Sequence, residues 1–441
     1  MYPMNEHKAK ANPKLSTESY KGVRDFFPAD MAVEKHIFDI WRSVSEKYGY
    51  EEYNASVLEP ADLYRAKSGE EIINQQTYTF IDRGDREVTL RPEMTPTVAR
   101  MVAARKRELV YPLRWYSIPN LFRYENPQRG RLREFWQYNM DIFGVSSLAA
   151  EIECIQIAYD ITRKLGLTDT DFEIRIHNRK VMNYIGRDIF GLDEVKANAL
   201  LKAIDRKNKM PKEVFVTAIS EVLGDETKTA KLLTILNSKN FEEFTSNLPQ
   251  TTEEHEGISE IKAVLAGLEE LGITNAVFDQ TLTRGSDYYT GIVFEIFDKN
   301  PENRRSVAGG GRYDDLLDLF GGDKVSAVGF GMGDVIASDL MDTYGSLPPA
   351  STPADIMIIV VGEQNTNYAL AIAKKLREQT VLGINSPRIS VDISGRKIGD
   401  QIKAADKRGV PHIIVIGDEE TKNGILKIKT LVSGVETSLS L

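Results

Sequence analysis

The stretch from Leu121 to Gly144, LFRYENPQRGRLREFWQYNMDIFG, constrains the fold more than any other part of the chain. It holds four arginines, two glutamates, two glutamines and an aspartate between apolar ends. Leu121–Phe122 and Phe135–Trp136 read as strand residues, and Pro127 and Gly130 break the run between them. The pattern predicts a two-stranded hairpin with a long cationic loop. A hydrophobic core has no use for Arg123, Arg129, Arg131 and Arg133 so close together. Guanidinium forks match phosphate oxygens two at a time, so the cluster as a whole points to a bound nucleotide. Arg129 and Arg131 by themselves fit a solvated hairpin tip.

The chain has 441 residues, enough for about three domains. Its apolar content of 41% is ordinary for a globular protein and supplies a core without disulfides. The single cysteine, Cys154, sits in an apolar stretch and reads as a buried thiol in a reducing compartment. No Cys/His spacing suits zinc, so no metal site is expected. Nothing approaches the ~20 apolar residues that span a membrane. The start, MYPMNEHKAKANPK, lacks the apolar run of a signal peptide, so residues 1–20 are expected to be a flexible tail on a cytoplasmic protein. A net charge of −9 argues against indiscriminate nucleic-acid binding but allows a local basic groove.

Taken in order, apolar positions from Val33 to Tyr48 fall at helical spacing, with Asp30 placed to cap and Gly49 to end the helix. Tyr53–Leu58 reads as a strand. Tyr78–Asp82 and Val88–Leu90 form a hairpin, and Pro92 and Pro96 then leave Arg91, Glu93 and Thr95 at a strand end. An Arg91–Glu93 ion pair with Thr95 as a helix cap is the structural alternative to a ligand site there. Leu148–Leu165 is an amphipathic helix and Phe172–His177 an alternating strand. Residues 178–271 are charged and helical, an insertion expected to be mostly exposed. Arg284, Asp287, Tyr288 and Tyr289 gather at a glycine-flanked bend, read as a pocket wall. Ala308–Asp314, AGGGRYD, reads as a flexible turn that lets backbone approach a ligand. Ser326–Gly333 is a small-residue strand running into a helix at Asp334. Residues 345–354 form a Pro/Ser-rich linker. Beyond it, residues 355–441 alternate strand and helix, which implies a small sheet with parallel pairs. Arg396, Lys403 and Lys407 share one helix face there, a stripe suited to solvent or to nucleic acid.

Five segments of the chain, Lys21–Pro28 among them, resemble one family. LFRYENPQRGRLREFWQ is similar to motif 2 of the class II aminoacyl-tRNA synthetases. LTRGSDYYTG and AGGGRYD resemble the two signatures of the histidyl-tRNA synthetases, and KGVRDFFP and LRPEMTP resemble their N-terminal and substrate-binding segments. The resemblance implies an α+β fold: a six- to seven-stranded antiparallel sheet flanked by helices in residues 21–177 and 272–344. It further implies a helical insertion at 178–271, a C-terminal α/β anticodon-binding domain and a homodimer. Histidine and ATP would give histidyl-adenylate, and histidine would then pass to tRNA(His), with Mg2+ entering as the ATP complex and no tightly bound prosthetic group.

By that resemblance, Arg123 and Arg284 flank the reacting α-phosphate, and Glu125 faces the adenine. Glu93 and Thr95, with Gln137 and Asp141, bind the amino group, and Tyr288 and Tyr289 line the side-chain pocket. Gln128 and Arg129 touch the tRNA acceptor end. Two departures stand out. Ile336 occupies the place of the motif 3 arginine that grips the γ-phosphate, which leaves Arg133 or Arg312 to do so. Ser56 replaces the motif 1 proline at the dimer interface. Loss of that arginine also suits a rival: an inactive synthetase-like regulatory subunit of histidine biosynthesis. Such relatives usually lack the C-terminal domain that follows the linker here.

Overall fold

Glycines decide how the largest sheet is built. The computed structural model describes residues 15–65, 76–207, 210–249, 254–283, 288–303, 305–321, 324–350 and 352–439. Most of the N-terminal tail, together with Arg284 and Asp287, lies outside the described residues. The chain divides into two compact units, Met1–Leu347 and Pro348–Leu441.

In the first unit a nine-stranded sheet comprises β1 (Glu51–Glu52), β2 (Leu113–Ser117), β3 (Asn120–Phe122), β4 (Glu134–Phe143), β5 (Phe172–Asn178), β6 (Ala276–Phe278), β7 (Ile292–Asp298), β8 (Ser306–Arg312) and β9 (Ala327–Gly333). The spatial order is β1-β2-β4-β9-β8-β7-β5-β6, with β3 added on β4. The interior pairs are antiparallel. The edge strands β1 and β6 pair in parallel, which makes the sheet mixed rather than wholly antiparallel. Tyr53–Leu58 is not one strand: β1 ends at Glu52, with one more backbone bond from the Tyr53 N–H to the Tyr116 carbonyl. The next strand, Leu58–Pro60, belongs to a separate three-stranded sheet with Tyr78–Ile81 and Glu87–Leu90.

AGGGRYD is a strand, not a turn. A Cβ on Gly310 would lie 2.0 Å from the Gly329 carbonyl oxygen, and one on Gly311 would lie 2.5 Å from that of Ile292. The glycines thus serve close approach of neighbouring strands. Because successive strand residues face opposite ways, one face carries Tyr138, Met140, Ile142, Val328, Phe330, Met332, Phe294 and Ile296 into a single core. That core is closed by Ile37, Trp41 and Val44 of the helix Pro28–Lys47 and by Ile155 and Ala158 of the helix Ala149–Lys164. The first of these helices starts at Pro28, where a missing N–H costs nothing. Asp30 reaches back to accept from the Phe27 N–H at 3.1 Å, and Gly49 follows the end with φ +76°.

The insertion is less exposed than its charge suggests. Phe215, Ile219, Leu232, Ile235 and Phe244 are buried in the same cluster as the sheet core. Each helix shows water its charged side and buries a narrow apolar stripe.

The second unit has its own five-stranded sheet. Ile389–Val391, Ile356–Val360 and His412–Ile416 are parallel, and Leu426–Thr430 and Glu436–Leu439 are added antiparallel. Its core of Ile356, Ile358, Ile372, Leu376, Ile414 and Ile428 is self-contained. Arg396, ahead of the helix Ile398–Lys407, is paired with Asp392 at 3.0 Å, while Lys403 and Lys407 are exposed.

Candidate active site

The open face of the sheet carries the polar alternates. Gln137, Asn139 and Asp141 of β4 stand beside Gly329, Gly331 and Gly333 of β9, and Gly309 of β8 follows. A Cβ on Gly329 would sit 2.2 Å from Asp141 Oδ1, and one on Gly331 would sit 3.0 Å from Gln137 Cδ. Bare backbone on β9 therefore clears a trench whose walls are the β4 side chains.

Two cavities occupy this trench. The smaller, about 160 Å³, is lined by Glu93, Thr95, Asn139, Asp141, Tyr288, Tyr289 and Tyr313. The larger, about 430 Å³, is lined by Glu125, Arg131, Phe135, Glu295, Phe297, Arg305 and Ile336. Arg123, Gln137, Gly309 and Gly331 line both, so Arg123 stands at their junction. Its Nε donates to the Pro92 carbonyl at 2.8 Å, and its guanidinium lies 5.4 Å from the Phe135 ring centre. One N–H is thus spent on holding the fork, and its outer edge borders the trench.

In the smaller cavity the Tyr288 hydroxyl donates to Glu93 at 3.3 Å, and the Tyr313 hydroxyl donates to Asp141. Tyr288 packs on Tyr289 at 4.9 Å between ring centres. Thr95 opens the helix Thr95–Arg105 at its first residue, without a side-chain capping bond. Arg91 does not pair with Glu93. Buried beneath, it donates to the Asn120 carbonyl at 3.0 Å and the Ala55 carbonyl at 2.8 Å. Glu93 instead lines the cavity, where it accepts from Tyr288.

Burial pushes the Asp141 carboxyl from 3.8 up to about 7, and the Tyr313 hydroxyl works against the shift. A carboxyl with a raised pKa in the folded state binds its proton more tightly folded than unfolded. Its contribution to stability is therefore full below about pH 4 and declines until about pH 7. Other carboxylates, such as Glu153 and Asp355, are shifted down and act in the opposite sense, so the expectation concerns the difference. As pH rises across that window, Asp141→Asn should lose stability relative to its own low-pH value less than wild type does. Burial and the nearby Asp334 shift Glu34 in the same direction, so some slope should persist. Melting curves at pH 4.5, 6 and 7.5 check this; an unchanged slope in the variant rules it out.

Arg133 and Arg312 have other work. Arg133 donates to the Glu125 carbonyl at 3.1 Å and the Tyr20 hydroxyl at 2.9 Å, and stacks 4.0 Å from Tyr124. It fastens the hairpin to the N-terminal segment. On β8, Arg312 lies on the opposite face from Gly309 and Gly311, so strand parity carries it away from the trench. There it grips Glu151 through two bonds of 2.5 and 2.7 Å. Breaking such a buried pair strands a charge at about 3–5 kcal/mol. Arg312→Ala should therefore lower the unfolding free energy by about that much, without a selective loss of nucleotide affinity. Denaturant titration alongside nucleotide binding separates the two effects.

Gln128 and Arg129 lie outside the trench, in a neighbouring cavity of about 350 Å³, and Arg129 stands 3.9 Å from Asp339. Arg131 is more than a solvated tip. It pairs with Glu125 at 3.1 Å on the trench rim. Arg305, Asn139 and Glu295 were not singled out from the sequence. The alternation Gln137-x-Asn139-x-Asp141 could have flagged Asn139. No local pattern flags Arg305.

A family model described as histidyl-tRNA synthetase matches residues 22–333, and one described as anticodon binding domain matches residues 355–441. The chain is 39% identical over 424 residues to a histidine–tRNA ligase of Leptospira biflexa, covering 95% of this chain and 94% of that protein. To the histidine–tRNA ligase of Thermoplasma volcanium it is 36% identical over 427 residues, covering 97% of each. The crystal structure of histidyl-tRNA synthetase from Nostoc sp. PCC 7120 shares the fold with a TM-score of 0.77, at 24% identity and 97% coverage of both chains. A trench that joins a small polar cavity to a cationic groove thus comes with a family model over most of the chain and with near-full-length relatives named histidine–tRNA ligase: the chain belongs to the histidyl-tRNA synthetase family.

Proposed function

We propose that this chain is a histidine–tRNA ligase, which activates L-histidine with ATP and passes it to the 3′ end of tRNA(His). The observation that carries the reading is the placement of Arg123 where the two cavities meet. Histidine would fill the smaller, with its ammonium group toward Glu93 and Thr95 and its imidazole against Tyr288 and Tyr289. Gln137 and Asp141 complete that wall. ATP would fill the larger, with Glu125 toward the base and Mg2+ arriving with the triphosphate to offset charge on the departing pyrophosphate. A histidine carboxylate oxygen then attacks the α-phosphorus, and the bond to pyrophosphate breaks. The site mainly aligns the reactants and neutralises the charge that develops. Arg123 acts at that phosphate, with Arg284 assigned to its other side by the family resemblance. Gln128 and Arg129, on the loop beyond the trench, face an incoming acceptor end.

Pyrophosphate exchange into ATP, run with each of the twenty amino acids, tests this. Exchange is expected with histidine alone. No exchange with any would return the chain to the regulatory reading.

The active form would be a homodimer. Its support is the small sheet Leu58–Pro60, Tyr78–Ile81, Glu87–Leu90, where the alternation is inverted. Glu59 and Thr89 are buried, whereas Leu58 and Phe80 are about half exposed. An apolar sheet face turned to water marks a contact surface. Phe80→Asp is expected to shift the protein from dimer to monomer in sedimentation velocity. A dimer as tight as wild type would move the interface elsewhere.

A further inference from the structure

Three groups meet beneath the hairpin loop at the far end of the trench from Tyr288. Gly130 has φ +73°, and a Cβ there would lie 2.7 Å from Ile336 Cδ1 and 2.9 Å from Arg305 Cδ. Arg305 and Ile336 therefore press on the same glycine from below, and both line the larger cavity and its neighbour. Ile336, in the first turn of the helix Asp334–Thr343, presents a methyl where a cation is expected from the family pattern. Arg305, one residue ahead of β8, brings a guanidinium to the same spot from a different strand.

We propose that Arg305 supplies the cation for the terminal phosphates of ATP, replacing one that Ile336 cannot provide. The proposal rests on the adenylation reading and extends it. Arg24, Arg133 and Arg312 are each tied into internal bonds, whereas Arg305 forms no hydrogen bond or ion pair among the described residues. It is half-buried all the same, and its charged form is disfavoured by burial and by Arg131, with Glu125 the favourable neighbour. Among the described residues the larger cavity is lined by three guanidiniums, Arg123, Arg131 and Arg305, against two carboxylates, Glu125 and Glu295, so positive charge is left over. A polyphosphate offers what is missing: several anionic oxygens that accept from more than one fork at once. Arg123 would hold the α-phosphate at the inner end, so the β- and γ-phosphates would lie toward Arg131 and Arg305. Gly130 lets the loop lie over the Arg305 stem, where any side chain would collide.

The test uses the full chain carrying Arg305→Gln. Calorimetry measures binding of ATP and of AMP, which lacks the two outer phosphates, and histidine-dependent exchange gives KM values. ATP binding is expected to weaken about tenfold or more, as losing a charged hydrogen bond implies. AMP affinity and the histidine KM should stay within about twofold. Adding Ile336→Arg to Arg305→Gln should recover most of the loss by returning the cation to the helix, which a merely structural role would not permit. ATP affinity within twofold of wild type overturns the proposal. So does an equal loss for AMP, or a double variant no better than the single one. If wild-type protein shows no exchange with histidine, while Arg305→Gln still loses ATP over AMP, the activity reading fails and the phosphate contact stands.

Discussion

Arg123→Ala is expected to slow histidine-dependent adenylate formation by about 10²–10³-fold, the cost of removing one preorganised donor from a developing charge. The expectation follows from position. Arg123 is the charged side chain common to both cavities, and its Nε is already anchored on Pro92. A fork anchored in this way before substrates arrive would need no reorganisation as charge builds on an α-phosphate placed at that junction. Arg123→Lys should recover little of the loss, because an ammonium cannot keep the Pro92 bond and also present two parallel donors. Single-turnover adenylate formation measures the effect. Folding should be intact, since the side chain borders a cavity instead of filling the core. A variant within about fivefold of wild type, with an unchanged melting profile, would falsify the junction role.

Ending the chain at Leu347 should leave a protein that forms histidyl-adenylate at near wild-type rate but charges tRNA poorly. The core of Met1–Leu347 is built from that unit's residues alone, and the unit Pro348–Leu441 has its own sheet and its own core. Its loss would remove whatever RNA contacts it makes; about 1.4 kcal/mol is already tenfold in binding, and several phosphate contacts exceed that. If the exposed stripe of Lys403 and Lys407, with Arg396 at its head, forms those contacts, replacing all three should flatten the salt dependence of tRNA binding. Asp392 already holds Arg396, so its share should be the smallest. Charging at full rate by the truncated chain would give the second unit another task.

The sequence by itself determined a good deal, and the reasons are local. Helices such as Pro28–Lys47 and Ala149–Lys164 announce themselves by apolar spacing and by their ends, which are properties of neighbouring residues. The hairpin from Leu121 to Gly144 was legible because charge, aromatics and breakers fall in one short run. The family followed from those same runs standing in order. Tertiary structure decided whatever depends on which strands become neighbours. AGGGRYD looks like a turn in isolation, since glycine is free to bend. Only the approach of β7 and β9 makes it a strand, and only strand parity then sends Arg312 to Glu151 and away from the nucleotide. The insertion's charged residues hid a stripe whose burial needs the sheet beneath it. Arg305 and Ile336 are thirty-one positions apart by number, and nothing in either neighbourhood ties them together. They meet at Gly130 because a helix start, a strand start and a loop converge there, and sequence distance carries no record of that.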